Sequence, residues 1–208
     1  MESKNYKIIR NFLNKEETKI ILDWIDTIQH QEFESNHHLI EIGKKLNGTS
    51  QVFDISNTSL TNYITNYQSI SKVSFEKIPD IITSLINRIS CEFNFPKDNI
   101  FLQAVNMYKG GKIEAHYDAS VNGYINYKCN ISIISEDYNF YIDKEIIDIK
   151  QGDLYGFEAS LYKHWTDEFN SRRVFLSFGF LIPYNIVGRS EIDPRVRLSN
   201  RIEKYFQK

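Results

Sequence analysis

Cysteine and proline are scarce in this chain, with 2 cysteines and 4 prolines among its 208 residues. Two cysteines cannot supply the disulfide framework of a small secreted domain, and Cys91 and Cys129 lack the spacing of a metal-binding pair. We expect both to be small buried hydrophobic residues, Cys91 on a helix and Cys129 at the start of a strand. Neither cysteine is therefore expected to carry function.

Long apolar runs and an excess of charge of one sign are also missing. No run reaches membrane-spanning length, and the residues after Met1 contain no apolar signal-peptide core. We therefore expect a soluble, cytoplasmic or otherwise intracellular protein with no membrane partner and an unassigned oligomeric state. The formal net charge is −2, so no overall basic field attracts nucleic acid. The best candidate for a local basic patch is the C-terminal tail, with Arg189, Arg195, Arg197, Arg201 and Lys204.

Two amphipathic helices are predicted in the first half of the chain. Asn14 and Glu17 have the spacing of a capping box, and apolar residues recur at helical spacing over residues 15–28. A second apolar helical face covers residues 79–93, with Pro79 suited to a first helical turn. We expect the two helices to form one layer against a sheet. Between them, residues 29–73 show no periodicity, and so long an irregular stretch is usually a functional lid or disordered.

From Ile100 onward, short strand-like runs alternate with turns, which is typical of a sandwich or jelly roll. The last run, Arg173 to Ile182, ends at Pro183. No internal repeat and no clear domain boundary interrupts the chain, whose length suits one well-cored domain. We therefore predict an α+β fold, a double-stranded β-helix with two supporting helices on one sheet, in a single domain spanning residues 1–208.

His116 and Asp118 carry the strongest chemical signal. Residues two apart on an extended strand point to the same face, so the imidazole and the carboxylate can reach one point in space. A second imidazole would complete a 2-His-1-carboxylate triad, which suits ferrous iron and leaves positions open for other ligands. The best candidate is His164, which follows another strand-like run. His-x-Asp alone is a common tripeptide, so the prediction depends on the longer pattern around it.

Arg173 is placed where a cation could hold a distal carboxylate. Alternation puts Arg173 and Ser177 on one face of the last strand and Arg172 on the other, where a solvated charge is the better interpretation. Ser177 could add a hydroxyl hydrogen bond. Asn130 and Ser132 also share a face. They either line the pocket or reflect ordinary strand polarity, and we slightly prefer the second interpretation.

The ordered pattern of these residues resembles the 2-oxoglutarate/Fe(II)-dependent oxygenase superfamily between about Ile100 and Ile182. The matching positions are Asn106, Tyr108, Gly110, His116, Asp118, Gly152-Asp153-Leu154, His164 and Arg173. The lead-in around Asn106 and the chain length are most similar to the AlkB-like branch. The resemblance implies that residues 29–73 form a lid over the substrate.

The resemblance also implies a ferrous ion held by His116, Asp118 and His164, with 2-oxoglutarate and O2 as cosubstrates and a C–H bond of the substrate as the target. It assigns the C5 carboxylate of 2-oxoglutarate to Arg173. Tyr108 and Asn106 stand where AlkB-like proteins place further cosubstrate contacts, so we predict that role for both.

Two positions depart from the nucleobase demethylases of that branch. They usually have a second arginine six residues after the first, where this chain has Gly179, and a carboxylate two residues after the aspartate, where it has Ser120. Alkylated nucleic acid remains the first substrate to consider, because of the lead-in, the lid and the tail. The alternatives are hydroxylation of a protein side chain or small molecule, and an inactive jelly-roll binding module. A zinc ion on the same ligands is a weaker variant.

Overall fold

The computed structural model describes residues 5–27, 50–54, 71–72, 79–97, 100–107, 109, 112–113, 115–118, 120, 123–135, 139–190 and 192–196. The helices are α1 (Lys15–Thr27) and α2 (Asp80–Phe93). The strands are β1 (Tyr6–Ile9), β2 (Ser50–Asp54), β3 (Ser71–Lys72), β4 (Ile100–Met107), β5 (Tyr124–Ile134), β6 (Phe140–Ile142), β7 (Glu145–Ile147), β8 (Leu154–Glu158), β9 (His164–Thr166) and β10 (Arg173–Pro183).

Local signals in the sequence mark the start of α1 and the end of α2. The backbone N–H of Asn14 donates to Glu17 Oε2 and that of Glu17 donates to Asn14 Oδ1, each at 2.9 Å, so the predicted capping box is confirmed. Helix α2 follows Pro79, which is its N-cap residue rather than part of its first turn. It ends at Asn94, whose φ of 55° is left-handed. No helix in the described residues is long and apolar enough to cross a membrane.

The two helices pack on one face of the larger sheet, as predicted. Their apolar stripes and the strands beneath them form a continuous core, which includes Ile21 and Ile25 of α1, Leu85 and Ile89 of α2, and Leu102, Ile131, Leu154, Leu176 and Phe178 of the sheet. In β10 the even-numbered residues face this helix layer. The odd-numbered residues, beginning with Arg173, therefore face the other way.

The strands form two sheets. The larger has seven strands in the order β1-β8-β5-β10-β4-β2-β3, and its pairs are antiparallel except β2 with β3. The smaller has the order β7-β6-β9 and is antiparallel. Buried side chains of β5, β6, β7 and β8 form a second core between the sheets, which includes Ile125, Phe140, Ile147 and Phe157. The sheet arrangement is compatible with the predicted jelly roll.

Cys91 departs from its prediction, because it is exposed whereas Cys129 is buried in the core. Residues Leu85 and Ile89 of α2 face the sheet. Cys91 is two residues beyond Ile89, about 200° further round the helix, and so turns toward solvent. The helical pattern was correct, but the face of this one residue was not.

Most of the predicted lid, residues 29–73, lies outside the described residues. Within it the structure describes the backbones of β2 and β3, which extend the larger sheet beyond β4. This part of the segment is therefore strand rather than irregular chain. The substrate lid and the extent of the domain stay predictions.

A buried carboxylate ties β1 to the turn before β8. Asp153 is 1% exposed and accepts hydrogen bonds from Arg10 Nη1 at 2.5 Å, from the N–H of Asn11 at 3.1 Å and from the N–H of Lys150 at 2.9 Å. The preceding Gly152 has a φ of +80°, and a Cβ there would lie 2.8 Å from the carbonyl oxygen of Leu13. The turn therefore depends on glycine at position 152 and on the hydrogen-bonded ion pair between Asp153 and Arg10.

Asp153→Asn is expected to reduce the free energy of unfolding by about 2–3 kcal/mol. Arg10 keeps only its exposed partner Asp148, and one backbone N–H that now donates to Asp153 would face the amide N–H2 group, which cannot accept. Urea unfolding measures the change. The control is Asp23→Asn, which removes an exposed ion pair with Lys19 and should change the free energy by less than about 0.5 kcal/mol. Equal effects of the two substitutions would contradict the prediction.

Candidate metal centre

His116, Asp118 and His164 come together in the structure. Their candidate ligand atoms all lie within 4.8 Å of one another, and no other such group of His, Cys, Asp or Glu occurs in the part of the chain described here. The Oδ1 atom of Asp118 lies 3.3 Å from His116 Nε2 and 3.7 Å from His164 Nε2. Two imidazoles and one carboxylate at these distances can close around a single metal ion.

Main-chain hydrogen bonds hold the three residues in place. The N–H of His116 donates to the carbonyl of His164 at 3.1 Å, and the N–H of His164 donates back at 3.0 Å. The N–H of Asp118 donates to the carbonyl of Ala159 at 3.0 Å. The segment carrying His116 therefore runs antiparallel beside β9, and this pairing brings together ligands that are far apart in sequence.

The ring of His164 is oriented by a backbone carbonyl. Its Nδ1 lies 3.1 Å from the carbonyl oxygen of Tyr162, and because that oxygen can only accept, Nδ1 carries the proton. Nε2 of the neutral ring then keeps its lone pair on the side of Asp118. The Phe157 ring lies edge-on to the imidazole, with 4.9 Å between the centroids. A metal-binding histidine commonly has its other ring nitrogen held by a backbone carbonyl in this way.

The charges around the site favour the ligand forms of these groups. Burial and the neighbouring His116 lower the pKa of His164 to about 3, so its ring is neutral at pH 7. Burial alone would raise the pKa of Asp118, but the charge of Lys128 and the hydrogen bond with His116 outweigh it and hold that pKa well below its usual range. A neutral imidazole beside an ionised carboxylate is what metal binding requires.

Arg173 is a further charged group between the sheets, and it is 1% exposed. Its Nη2 donates to the hydroxyl of Tyr155 at 2.9 Å. Its guanidinium carbon lies 4.2 Å from the centroid of the Phe175 ring and 5.4 Å from that of Phe169. A cation held so deeply among aromatic faces suits an anionic ligand that enters the same space.

Arg172 points the other way, as alternation predicts. Its Nη2 lies 2.5 Å from Oδ1 of Asp26 on α1, and its Nε donates to Oδ1 of Asn106 at 2.9 Å. Arg172 is thus a partner of the helix layer rather than a solvated hairpin charge.

Asn106 is not brought together with Arg173. In β4 it is opposite Val174 and shares the face of Ala104, which belongs to the helix-side core. Its side chain is bound by Arg172 on that face. The β4 register therefore places Asn106 on the face opposite Arg173, and its role as a cosubstrate contact stays a prediction. Tyr108, its predicted companion, lies outside the described residues.

Ser177, Asn130 and Ser132 do face the space between the sheets. Ser177 is opposite Asn130, and Asn130 is opposite Tyr155 on the other side. Asn130 and Ser132 are buried, and Oδ1 of Asn130 and Oγ of Ser132 have no hydrogen-bond partner among the described residues. Burying such an oxygen costs free energy unless a ligand or a water molecule donates a hydrogen bond to it. The pocket interpretation of this pair is therefore better supported than ordinary strand polarity.

Lys128, Phe101 and Tyr155 belong to the site but were not found from the sequence. Lys128 Nζ lies 3.5 Å from Asp118 Oδ2 and 4.4 Å from the centroid of the Phe101 ring. One sequence signal pointed to Lys128, because it lies two residues before Asn130 and therefore shares its face of β5. The strand register that places Lys128 against Asp118 could not be read from the chain.

Packing against Phe101 explains why position 179 is a glycine. It is opposite Phe101 on one side and Lys128 on the other, and a Cβ at Gly179 would lie 1.8 Å from an atom of the Phe101 ring. The ring thus occupies the space above the glycine. Any side chain there, including the second arginine of the nucleobase demethylases, requires the ring to move.

Gly179→Ala is expected to reduce the free energy of unfolding by about 1–3 kcal/mol, because the Phe101 ring must leave its packed position. Thermal unfolding followed by circular dichroism measures it. The matched control is Gly123→Ala, where a Cβ meets nothing within 4 Å and only the positive φ opposes the substitution. A smaller loss at Gly179 than at Gly123 would contradict the packing argument.

Ser120, the second departure, is 8% exposed, and its hydroxyl donates to the carbonyl of Tyr124 at 2.7 Å. The hydroxyl is therefore used within its own turn.

No protein-family model matches the chain, and no curated protein matches it. Solved structures match across most of its length. A prolyl hydroxylase from Trichoplax adhaerens, in complex with a peptide of the hypoxia inducible factor oxygen degradation domain, is 10% identical with a TM-score of 0.59, covering 90% of this chain and 89% of that one.

Two further structures give similar values. HygX from Streptomyces hygroscopicus, with nickel, 2-oxoglutarate and hygromycin B bound, is 8% identical with a TM-score of 0.57 and coverages of 88% and 84%. OsALKBH1 is 12% identical with a TM-score of 0.55 and coverages of 86% and 99%. At such low identity the likeness concerns the fold alone. This chain therefore has the fold that these three structures share.

Proposed function

We propose that the protein is an Fe(II)- and 2-oxoglutarate-dependent dioxygenase. The observation that carries the proposal is the convergence of His116, Asp118 and His164, with the Asp118 carboxylate ionised and the His164 ring neutral, as a ferrous ion requires. The buried Arg173 between the same sheets suits the far carboxylate of a dicarboxylic acid. The shared fold supports this reading, since the HygX structure contains 2-oxoglutarate and nickel.

The residues present fit that cosubstrate. Oγ of Ser132 and Oδ1 of Asn130 are buried beside Tyr155, the partner of Arg173, and they lack protein partners among the described residues. The hydroxyl of Ser132 can donate to a carboxylate oxygen of 2-oxoglutarate, whereas Oδ1 of Asn130 only accepts and would need a bridging water to donate to it. We therefore assign 2-oxoglutarate binding to Arg173, with Ser132 and Asn130 beside it and Ser177 on the same face of the sheet, opposite Asn130.

When bound, ferrous iron with 2-oxoglutarate and O2 supplies the oxidising power that breaks a substrate C–H bond, yielding succinate and carbon dioxide. The chain's own work is to position these groups. Tyr162 fixes the His164 ring, and Tyr155 accepts a hydrogen bond that orients the Arg173 guanidinium. The rings of Phe169 and Phe175 cover Arg173 and keep water from it.

For the substrate, hydroxylation of a protein side chain or small molecule is favoured over demethylation of alkylated nucleic acid. Ser120 is engaged in its own turn, and Phe101 fills the space at Gly179, so two groups of a nucleobase demethylase are absent. Of the proposed basic tail, Arg189 is paired with Glu158 and Asp193.

Arg195 of the same tail is paired with Asp143. These ion pairs reduce the attraction of the described part of the tail for phosphate. An inactive binding module is the least favoured of the three functions, because it assigns no role to the three metal-ligating residues.

The test is succinate production by protein reconstituted anaerobically with Fe(II) and then given 2-oxoglutarate and O2. Parallel reactions contain methylated single-stranded DNA or RNA, with formaldehyde measured alongside, since N-demethylation releases it. Succinate without formaldehyde is the expected result. Matching succinate and formaldehyde would establish the nucleic-acid substrate instead. A protein that binds neither metal nor 2-oxoglutarate would refute the dioxygenase.

A further inference from the structure

The two oxygens of the Asp118 carboxylate have different surroundings. Oδ1 faces the imidazoles, at 3.3 Å from His116 Nε2 and 3.7 Å from His164 Nε2. Oδ2 faces the ammonium of Lys128 at 3.5 Å. The Lys128 side chain is only 12% exposed, so this ion pair is weakly screened by solvent.

The Lys128 ammonium is also held from its other side. It lies 4.4 Å from the centroid of the Phe101 ring, and that ring rests on Gly179, the residue opposite Lys128 on β10. A partly desolvated cation over an aromatic face has little tendency to leave it. Phe101 and Gly179 thus form a platform that fixes the ammonium beside Asp118.

We propose that Lys128 is a positioning residue that makes Asp118 a one-oxygen metal ligand. By pairing with Oδ2, the ammonium directs Oδ1 alone toward the centre between the two imidazoles. Without it, Oδ2 is free to bind the same metal ion, as carboxylates commonly do when nothing else holds their second oxygen. The inference rests on the proposed function, because it concerns the metal ion of that site.

The number of metal-binding oxygens from Asp118 matters for this chemistry. A three-residue ligand set in which each residue supplies one atom leaves three positions of an octahedral metal open. Bound as a chelate, 2-oxoglutarate would use two of them, and O2 would need the third. A second oxygen from Asp118 would occupy one of these positions and compete with 2-oxoglutarate.

The experiment compares wild type with Lys128→Met, which keeps an unbranched apolar side chain on Phe101 but removes the charge. Calorimetry without O2 measures Mn(II) affinity first and 2-oxoglutarate affinity of the Mn(II)-loaded protein second. We expect Mn(II) affinity to be kept or increased, because a nearby positive charge is lost and a ligand atom is gained. We expect 2-oxoglutarate affinity to fall at least about 10-fold, because a second Asp118 oxygen must first be displaced from the metal ion, at a cost of about 1.4 kcal/mol or more.

The crystal structure of Mn(II)-loaded Lys128→Met, taken before 2-oxoglutarate is added, is expected to show both Asp118 oxygens on the metal. This separates the proposal from a direct contact between Lys128 and 2-oxoglutarate. Lys128→Arg should restore most of the 2-oxoglutarate affinity. The matched control is Lys7→Met, because Lys7 also pairs with a carboxylate, Glu92, and lies over a ring, Phe93, yet is not at the site.

Unchanged 2-oxoglutarate affinity in Lys128→Met would overturn the proposal. So would a one-oxygen Asp118 in the variant's structure, or a loss of Mn(II) affinity as large as the loss of 2-oxoglutarate affinity. These results differ from failure of the proposed function, in which the wild-type protein itself would bind no Mn(II) or no 2-oxoglutarate.

Discussion

Replacing Asp118 by alanine is expected to abolish both metal binding and succinate production. The substitution removes the only anion of the ligand set and leaves two imidazoles beside the cationic Lys128. Changes to groups that merely orient metal ligands cost about 10–100-fold in affinity, so loss of a ligand itself should exceed about 100-fold. Calorimetry with Mn(II) and mass-spectrometric detection of succinate measure the two effects.

Asp167→Asn is the control for that substitution. Asp167 is exposed and accepts hydrogen bonds from Asn139 and Tyr141, so its loss should leave metal binding unchanged. Asp118→Asn, which keeps the shape but removes the charge, should resemble the alanine variant. Wild-type succinate production by either Asp118 variant would refute the ligand assignment.

Arg173→Met is expected to raise the KM for 2-oxoglutarate about 100-fold while leaving Mn(II) affinity unchanged. A charged hydrogen bond is worth about 1.5–3 kcal/mol, and a bidentate pair therefore corresponds to roughly two powers of ten or more in binding. Methionine can pack against Phe169 and Phe175, so the fold should persist. The measurements are steady-state kinetics and the rise in melting temperature that 2-oxoglutarate gives the Mn(II)-loaded protein.

Arg172→Met is the matched control on the neighbouring residue. Arg172 pairs with Asp26 and Asn106 on the opposite face of the sheet, so its loss should affect stability but not the KM for 2-oxoglutarate. If Arg172→Met raised the KM and Arg173→Met did not, the carboxylate-binding role would belong to Arg172. If neither raised it, the cosubstrate would be held elsewhere.

The features that local sequence determines were predictable. A capping box needs only Asn14 and Glu17 at the right spacing, and a helical apolar stripe is visible within a few turns. Strand alternation likewise placed Arg173 on the face opposite Arg172. The pairing of His116 with His164 was inferred from the whole pattern and its resemblance, not from any local rule.

The features that depend on pairing between distant strands were not predictable. Lys128 reaches Asp118 because β5 pairs with β8, and the carbonyl of Ala159, just after β8, binds the N–H of Asp118. No local pattern encodes that register. Strand β4 is buried on both faces, so its composition did not show which face Asn106 takes. Tyr155 was missed for the same reason, since only the fold brings it to Arg173.

The position of β10 in the larger sheet has a consequence for biosynthesis. This strand lies between β4 and β5, yet among the strands that the structure describes it leaves the ribosome last. Until it arrives, β4 and β5 lack their shared neighbour, and Arg173 is absent. The nascent chain must therefore keep its apolar strands from associating wrongly until β10 has been made, which makes a chain cut short before β10 prone to aggregate.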